Sequence, residues 1–401
     1  MNVPGDEWGV PEEIRFAVVL NGGVSLAVWM GGVVREIDRV TRGLGPYGRL
    51  LELVNAKARA DVIAGTSAGG INGAALALGQ ANTCADVGLM RDLWAEQGRM
   101  DSLLQRPFKG SPASLLRGDD YFLPKLNDAM RQLCKPWDAT DSAEHPIELI
   151  ITTTLLNGAR TVTVDSLGQQ LPQMVHQGHF TFRRDDEAVG VHDDFAPGPG
   201  RNVPAALAMA ARCTAGFPVA FEPCFVPARG RAGTTAPPGD RPIDLTDPDR
   251  RPDLGQYVSW RTAGPAEEMP PDRSRYAVDG GLLANTPTQA ALDAIARMPA
   301  GDLVQRVMLL VYPHAPVNHP DPPDLSDEPP TVTDAMGGVL GALLSQGSRT
   351  FVDEVEKHNQ AARARRGTRL DIMGEITDRP ADAGPLRLHA VPQPAHQACG
   401  P

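Results

Sequence analysis

Residues 65 to 69 read Gly65-Thr66-Ser67-Ala68-Gly69, directly after the short apolar run Val62-Ile63-Ala64. In the stretch that follows, Ile71, Ala74, Ala75 and Leu78 recur at helical spacing. This is the layout of a nucleophile elbow. A serine hydroxyl attacks well only when a sharp strand-to-helix turn lifts it out of the fold, and so tight a turn admits only small neighbours, here Gly65 and Gly69. The helix behind it aims its first amides at the place where negative charge would develop. An ordinary tight turn that happens to carry a serine is the alternative.

A nucleophile needs a base and a site for the oxyanion. Tyr276-Ala277-Val278-Asp279-Gly280-Gly281 is a short apolar strand ending in a carboxylate with two glycines behind it, which lets Asp279 approach a serine on a neighbouring strand and take its proton. Taken alone, Asp-Gly-Gly is also a common turn. The turn Gly22-Gly23, with Val24 after it, offers backbone amides to a bound carbonyl oxygen. A phosphate-binding turn is disfavoured there, because neither G-x-G-x-x-G nor a Walker lysine is present; a plain structural turn stays open.

The elements that must position these groups follow from the apolar pattern. Residues 14–20 (IRFAVVL) read as a strand buried on both faces, followed by the glycine turn, a helix from about Val24 to Arg42, a second helix near Tyr47 to Lys57, and the strand Asp61 to Ala64 that delivers Ser67. That is a βαβ opening, and it predicts an α/β fold with a mostly parallel central sheet flanked by helices. Residues 147–156 and 304–312 read as further interior strands, and residues 160–164 could pair with 179–183 as an edge hairpin. Asn202 caps a helix through Ala211, and Thr286-Pro287 opens one running to about Arg297. Residues 228–274, rich in Pro, Gly, Arg and Asp, read as an irregular surface insertion. Residues 313–330 form a proline-rich linker, and residues 331–401 a C-terminal helical extension, with a helical pair at about 331–366, and a tail.

The ordered motifs together resemble the patatin-like phospholipase family: Gly22-Gly23 after the first strand, Gly65-Thr66-Ser67-Ala68-Gly69, and Asp279-Gly280-Gly281 followed by Leu282-Leu283-Ala284-Asn285-Thr286-Pro287. The stretch from Ala211 to Pro223 is similar to that family's small-residue block, so the resemblance spans residues 14–312. It implies a Ser-Asp dyad without histidine that cleaves acyl esters of lipids through an acyl-enzyme, with Ser67 as nucleophile, Asp279 as base and no cofactor. One departure stands out. The family's glycine turn carries three glycines, a variable residue, then Arg or Lys and another Gly, whereas this chain reads Asn21-Gly22-Gly23-Val24-Ser25-Leu26, with no cation. Ser25 or a distant arginine would have to substitute, and a weak or inactive lipid-binding module on the same fold is the competing expectation.

Other constellations in the chain compete with these. A Ser-His-Asp hydrolase would place a histidine late in the chain, and His314 stands beyond the 304–312 strand, although Pro313 and Pro316 mark it as the start of the linker. Asp244, Asp247, Asp249 and Asp253 lack the glycine and glutamate of a calcium loop, and the nine histidines show no ligand spacing, so no metal is expected. Residues 101–126 interleave leucines and aromatics with cations, which suits either a cap that meets a lipid surface or ordinary core packing.

With 401 residues, 42% of them apolar, the chain can bury one large core. A net charge of -11 argues against a nucleic-acid partner. The five cysteines are scattered without C-x-x-C spacing, which suits reduced thiols. The first residues are acidic without basic ones, unlike a secretory signal, and no apolar run has the length of a membrane span. The expectation is a cytoplasmic protein acting on a lipid or lipid-like ester, with peripheral membrane contact left open.

Overall fold

The computed structural model describes residues 11–23, 27–97, 100–105, 113–138, 145–185, 192–229, 242–260, 272–299, 304–312 and 331–377. Two compact units divide the chain, Met1–Val352 and Asp353–Pro401. Among the described residues, every strand lies in the first. In chain order its elements are β1 (Glu12–Leu20), α1 (Ala27–Thr41), α2 (Pro46–Leu53), β2 (Ala56–Gly65), α3 (Ala68–Ala81), α4 (Leu89–Asp92), α5 (Met100–Leu103), α6 (Leu123–Leu133), β3 (Ile147–Val164), β4 (Gln170–Arg184), α7 (Val203–Thr214), β5 (Cys224–Val226), β6 (Arg275–Asp279), α8 (Gly281–Ala284), α9 (Thr288–Arg297) and β7 (Val304–Val311). Residues Val332–Thr377 form one long helix, α10, where the sequence suggests a pair.

The fold is α/β. Strands β3, β2, β1 and β7 are successive parallel neighbours in a seven-stranded sheet, with β7 at one edge, and β4, β5 and β6 add antiparallel pairs at the other side. The continuous apolar run in β1 fits this position, since Ala17 to Leu20 are fully buried between helices on both faces. The helix α3 is buried all round, as its composition of Ala, Gly, Leu and Ile dictates: such a helix has no solvent face to present. Small side chains on α3 and on α7, whose residues from Ala205 to Thr214 are all buried, let both helices lie close to the sheet.

Several expectations need correction. The second helix ends at Leu53 rather than near Lys57, because β2 is longer than its apolar core and begins at Ala56. Residues 147–164 form one continuous strand, and residues 179–183 pair with its first half, Glu148 to Thr152, not with Arg160 to Val164. The segment Arg160–Val164 pairs instead with Gln170–Met174 in a long ribbon whose register shifts between Thr154 and Ala159. The insertion is no surface excursion over residues 242–260: Leu254, Tyr257, Val258 and Trp260 are buried, Tyr257 stacks on Phe182, and the Tyr257 carbonyl accepts the Thr181 amide. Its proline and arginine content hid the fact that apolar side chains follow one another at core spacing. Cys134, Cys213 and Cys224 are buried free thiols and Cys84 is an exposed one, and Cys399 lies outside the described residues, as do residues 313–330.

At the C-terminal end of α7 a fully buried Arg212 ties three segments together. Its guanidinium meets Asp119 Oδ1 at 3.0 Å, donates to the Glu222 carbonyl at 2.8 Å, and lies over the Phe221 ring at 5.2 Å. Arg251 reaches the other oxygen of Asp119 at 2.6 Å. Removing one member of such a cluster leaves the others without compensation. Arg212→Met is therefore expected to cost about 3 kcal/mol of unfolding free energy, read by denaturant titration; a loss below about 1 kcal/mol would mean that the cluster does not hold these segments.

Candidate active site

Two strands meet head-on along one edge of β3. Throughout residues 147–154 the opposite edge of β3 is occupied by β4, so β2 and β6 share the remaining edge. The parallel strand β2 climbs it and ends with Gly65 beside Ile151. The antiparallel strand β6 descends it and ends with Asp279 beside Thr153. Only Thr152 separates the two ends, a gap of roughly 7 Å at strand rise. Ser67, two residues past the end of β2, turns back across this gap.

The geometry there is tight and buried. Ser67 Oγ donates to Asp279 Oδ2 at 2.9 Å, across 212 positions of sequence, and both side chains are buried. Ser67 has φ 53° and ψ -126°, a strained conformation for a residue with a side chain, and it caps α3 from that position. The elbow closes because Gly65 and Gly69 have no side chains: a Cβ on Gly69 would lie 2.3 Å from the Leu20 carbonyl oxygen. Gly280 is equally constrained, since a Cβ there would sit 2.4 Å from Thr152 Oγ1.

Two threonines that the motif reading passed over hold the junction from either side. Thr152 Oγ1 lies 2.6 Å from Thr66 Oγ1, and Thr66 Oγ1 also donates to the Ala284 carbonyl at 2.8 Å. Thr214, at the end of α7, accepts the Ser67 amide on its hydroxyl at 2.8 Å and the Gly280 amide on its carbonyl at 3.3 Å. The Asp279 amide donates to the Gly216 carbonyl at 2.9 Å. Thr214 lies in the small-residue block, and its signal in the sequence was a single hydroxyl among Ala, Cys and Gly; Thr152 carried none, being one of three consecutive threonines.

The carboxylate itself is fixed at both oxygens. While Oδ2 faces Ser67, Oδ1 accepts the Gly281 amide at 2.7 Å. Burial pushes the Asp279 pKa up to about 6, against the lowering effect of these two hydrogen bonds. The group is thus ionised at neutral pH yet basic enough to accept a proton.

The glycine turn packs directly on the junction. A Cβ on Gly22 would lie 3.4 Å from Ser67 Cβ and 2.3 Å from Asn285 Oδ1. The Gly22 amide, however, donates to the Asn285 carbonyl at 3.3 Å, so it faces the loop after Asp279 rather than the space above the serine. Gly23 follows it, while Val24 and Ser25 lie outside the described residues, as does His314. The helix α3 adds the amide of Ala68, its first residue, whereas the Gly69 amide donates to the Thr66 carbonyl at 2.8 Å.

The remaining sequence candidates lie elsewhere. Asp244, Asp247 and Asp253 accept backbone amides in local turns, and among the described residues no group of three or more His, Cys, Asp or Glu could hold a metal ion. Of residues 101–126, Leu103 and Phe122 are core, whereas Leu104 and Leu115 are exposed; residues 106–112 lie outside the described residues. A cavity of about 590 Å³ between α6, the start of α7 and residues 243–250 is lined by none of the residues of the junction.

Fold and site together describe an α/β protein with a serine elbow facing a strand-end aspartate. Residues 18–292 match the patatin-like phospholipase family, and the chain belongs to it. It is also 33% identical over 403 residues to the Uncharacterized membrane protein Rv3479 of Mycobacterium tuberculosis (strain ATCC 25618 / H37Rv), a match covering 92% of this chain and 34% of that protein. The chain thus spans about a third of the length of the curated relative it matches. No solved structure matches it. Among the described residues no helix is long and apolar enough to cross a membrane.

The elbow depends on backbone contacts that cannot give way. Gly69→Ala is expected to lower stability by roughly 1–3 kcal/mol through overpacking against β1, measured as a drop in melting temperature; an unchanged melting temperature would mean that the elbow has room to relax.

Proposed function

We propose that this chain is a serine acyl-hydrolase that cleaves carboxylic esters of lipids, with Ser67 as nucleophile and Asp279 as the base. The observation that carries this reading is the 2.9 Å hydrogen bond from Ser67 Oγ to Asp279 Oδ2 in a buried junction. Membership of the patatin-like phospholipase family supports the lipid ester as substrate class.

In this mechanism Asp279 Oδ2 takes the proton of Ser67 as Oγ attacks the ester carbonyl carbon. The carbonyl oxygen becomes an oxyanion, stabilised by backbone N–H groups: the Gly23 amide on the glycine turn and the Ala68 amide at the start of α3, the Gly69 amide being engaged with the Thr66 carbonyl. Gly22 serves by its closeness to Ser67, its own amide being engaged with Asn285. Collapse of the tetrahedral species expels the alcohol, which takes the proton back from Asp279 and leaves an ester between Ser67 and the acyl group. Water then gives its proton to Asp279 and attacks that ester; collapse returns the proton to Ser67 Oγ and frees the carboxylic acid. Thr214 holds the Ser67 backbone and Gly281 holds the carboxylate, so neither group needs to reorganise during the cycle.

A fluorophosphonate probe tests the nucleophile directly. The unmodified chain is expected to be labelled and Ser67→Ala not, with hydrolysis of a soluble short-chain ester falling at least about 1,000-fold in Ser67→Ala and in Asp279→Asn. Absence of labelling in the unmodified chain would point instead to a non-catalytic lipid-binding module. His314→Ala should retain turnover, since a dyad makes no use of it.

The pH dependence has a definite sign. The base must be ionised, so kcat/KM is expected to fall as pH drops through about 6, well above the ordinary aspartate range. Stability moves the other way. A carboxyl whose pKa is raised on folding favours the fold most when protonated, below its unfolded value of 3.8, and that contribution is lost as pH rises through about 6. Asp279→Asn should therefore melt higher than the unmodified chain at pH 8, with the gap closing towards pH 4; an acid limb near pH 4 would mean that burial does not raise the Asp279 pKa.

A further inference from the structure

The helix α6 is amphipathic. Leu123, Leu126, Met130 and Leu133 are buried on one side, while Asn127, Asp128 and Arg131 recur at helical spacing on the other. That polar side, with Lys135 just past the end of the helix, forms one wall of the cavity of about 590 Å³. The turn from Arg201 into α7 forms a second wall, and residues 243–246 with Arg250 form a third. Phe195, Val203 and Leu245, all buried, add apolar lining. The volume and the mixture of apolar walls with a few polar groups are those of a small-molecule site.

Charge in this cavity runs against that of the chain. Arg131, Lys135, Arg201 and Arg250 line it against two carboxylates, Asp128 and Asp244, whereas the whole chain carries 49 acidic residues against 38 basic ones. The four cations are of two kinds. Arg201 is held by Asp194 at 3.2 Å and Arg250 by Asp244 at 3.3 Å, and Arg250 Nε donates to the Pro242 carbonyl at 3.1 Å. Each guanidinium is thereby fixed in place and keeps further N–H groups for another acceptor. Arg131 and Lys135 are exposed, and neither they nor Asp128 form an ion pair among the described residues. Two unpaired cations, four residues apart, therefore stand on a concave wall opposite two guanidinium groups that are already oriented.

We propose that this cavity is a binding site for a small phosphate ester that carries hydroxyl groups, a sugar or polyol phosphate. Arg131 and Lys135 take the phosphate, joined by the spare N–H groups of Arg201 and Arg250. Asp128 and Asn127, one turn before Arg131, accept hydroxyl protons, and the apolar lining meets the C–H faces of the ligand. A bare inorganic anion would leave Asp128 as a repelling neighbour without use, and a polyanion would meet both carboxylates and the net charge of -11. The site is separate from the junction and does not rest on the acyl-hydrolase reading: Val203 at the cavity and Thr214 at the junction stand at opposite ends of α7, roughly 16 Å apart at helical rise.

Isothermal titration calorimetry of the full chain with glucose 6-phosphate tests the site. Binding is expected with a Kd of about 1 mM or tighter, with inorganic phosphate weaker and glucose giving no measurable heat. The combined variant Arg131→Ala, Lys135→Ala is expected to weaken binding of glucose 6-phosphate at least about tenfold, a change worth about 1.4 kcal/mol, and to melt as the unmodified chain does because both positions are exposed. Asp128→Ala should weaken glucose 6-phosphate and not inorganic phosphate. Lys57→Ala, an exposed cation outside the cavity, and Ser67→Ala should bind as the unmodified chain does. The site is overturned if glucose 6-phosphate gives no binding heat, if the combined variant binds undiminished, or if Lys57→Ala weakens binding as much as the combined variant. Inorganic phosphate binding as tightly as glucose 6-phosphate overturns the ligand class, and loss of binding in Ser67→Ala moves the ligand to the junction and overturns the site. Absence of fluorophosphonate labelling alongside intact glucose 6-phosphate binding sinks the catalytic reading and leaves this one standing.

Discussion

The meeting of β2 and β6 end to end along one edge of β3 is the constraint on which the rest depends. Parallel and antiparallel neighbours cannot occupy the same stretch of one strand edge, so each must stop where the other begins, and both stop at Thr152. This arrangement turns two C-terminal strand ends towards each other across a single residue of β3, so that the chain leaving one strand passes directly over the end of the other. A serine and a carboxylate distant in sequence thereby come within a hydrogen bond. The glycines follow from the same crowding: Gly280 must pass against Thr152, and Gly69 must pass against the end of β1.

The charged and polar groups around this point divide into two kinds. Those of the junction are threonine hydroxyls and backbone amides, which fix position without adding net charge. The ionic groups stand one step back, where Arg212 and Arg251 clamp Asp119 and Glu222 at the end of α7. Arg212 lies two residues from Thr214, so an ion cluster that touches neither Ser67 nor Asp279 still sets where the Ser67 amide is held.

Much of this was legible in the sequence, and the part that was not has a physical reason. The elbow and the Asp279 strand could be read because each needs a local signature: small residues where the backbone turns sharply, and an apolar run before it. The parallel centre followed from runs such as residues 14–20, whose side chains are apolar on both faces. Thr152 and Thr214 were invisible because their role arises only when three distant segments converge, and a threonine in a strand or at a helix end has no local reason to be noticed. The length of β3 was misread for a related reason. Its distal half, Arg160 to Val164, alternates polar and apolar residues like an independent edge strand, and only pairing with Gln170 to Met174 makes it continuous with the buried half. Residues 228–274 read as surface because Pro, Gly, Arg and Asp crowd that stretch, yet Arg251 within it is itself buried, its charge met by Asp119.

The missing cation of the glycine turn bears on how basic Asp279 is. A guanidinium beside the serine would stabilise an oxyanion, but it would also favour the ionised carboxylate and hold its pKa down. Here the shift of Asp279 arises from burial, opposed only by hydrogen bonds from Gly281 and Ser67, with no charged neighbour among its causes. Under the proposed mechanism, a carboxylate left more basic than a cation-flanked one would take the serine proton more readily, while the oxyanion would lose one source of support. The two effects oppose each other in the same step. A turn without arginine is therefore consistent with a working base, and the demand for oxyanion stabilisation shifts from a side-chain charge to the backbone amides of the turn and of α3.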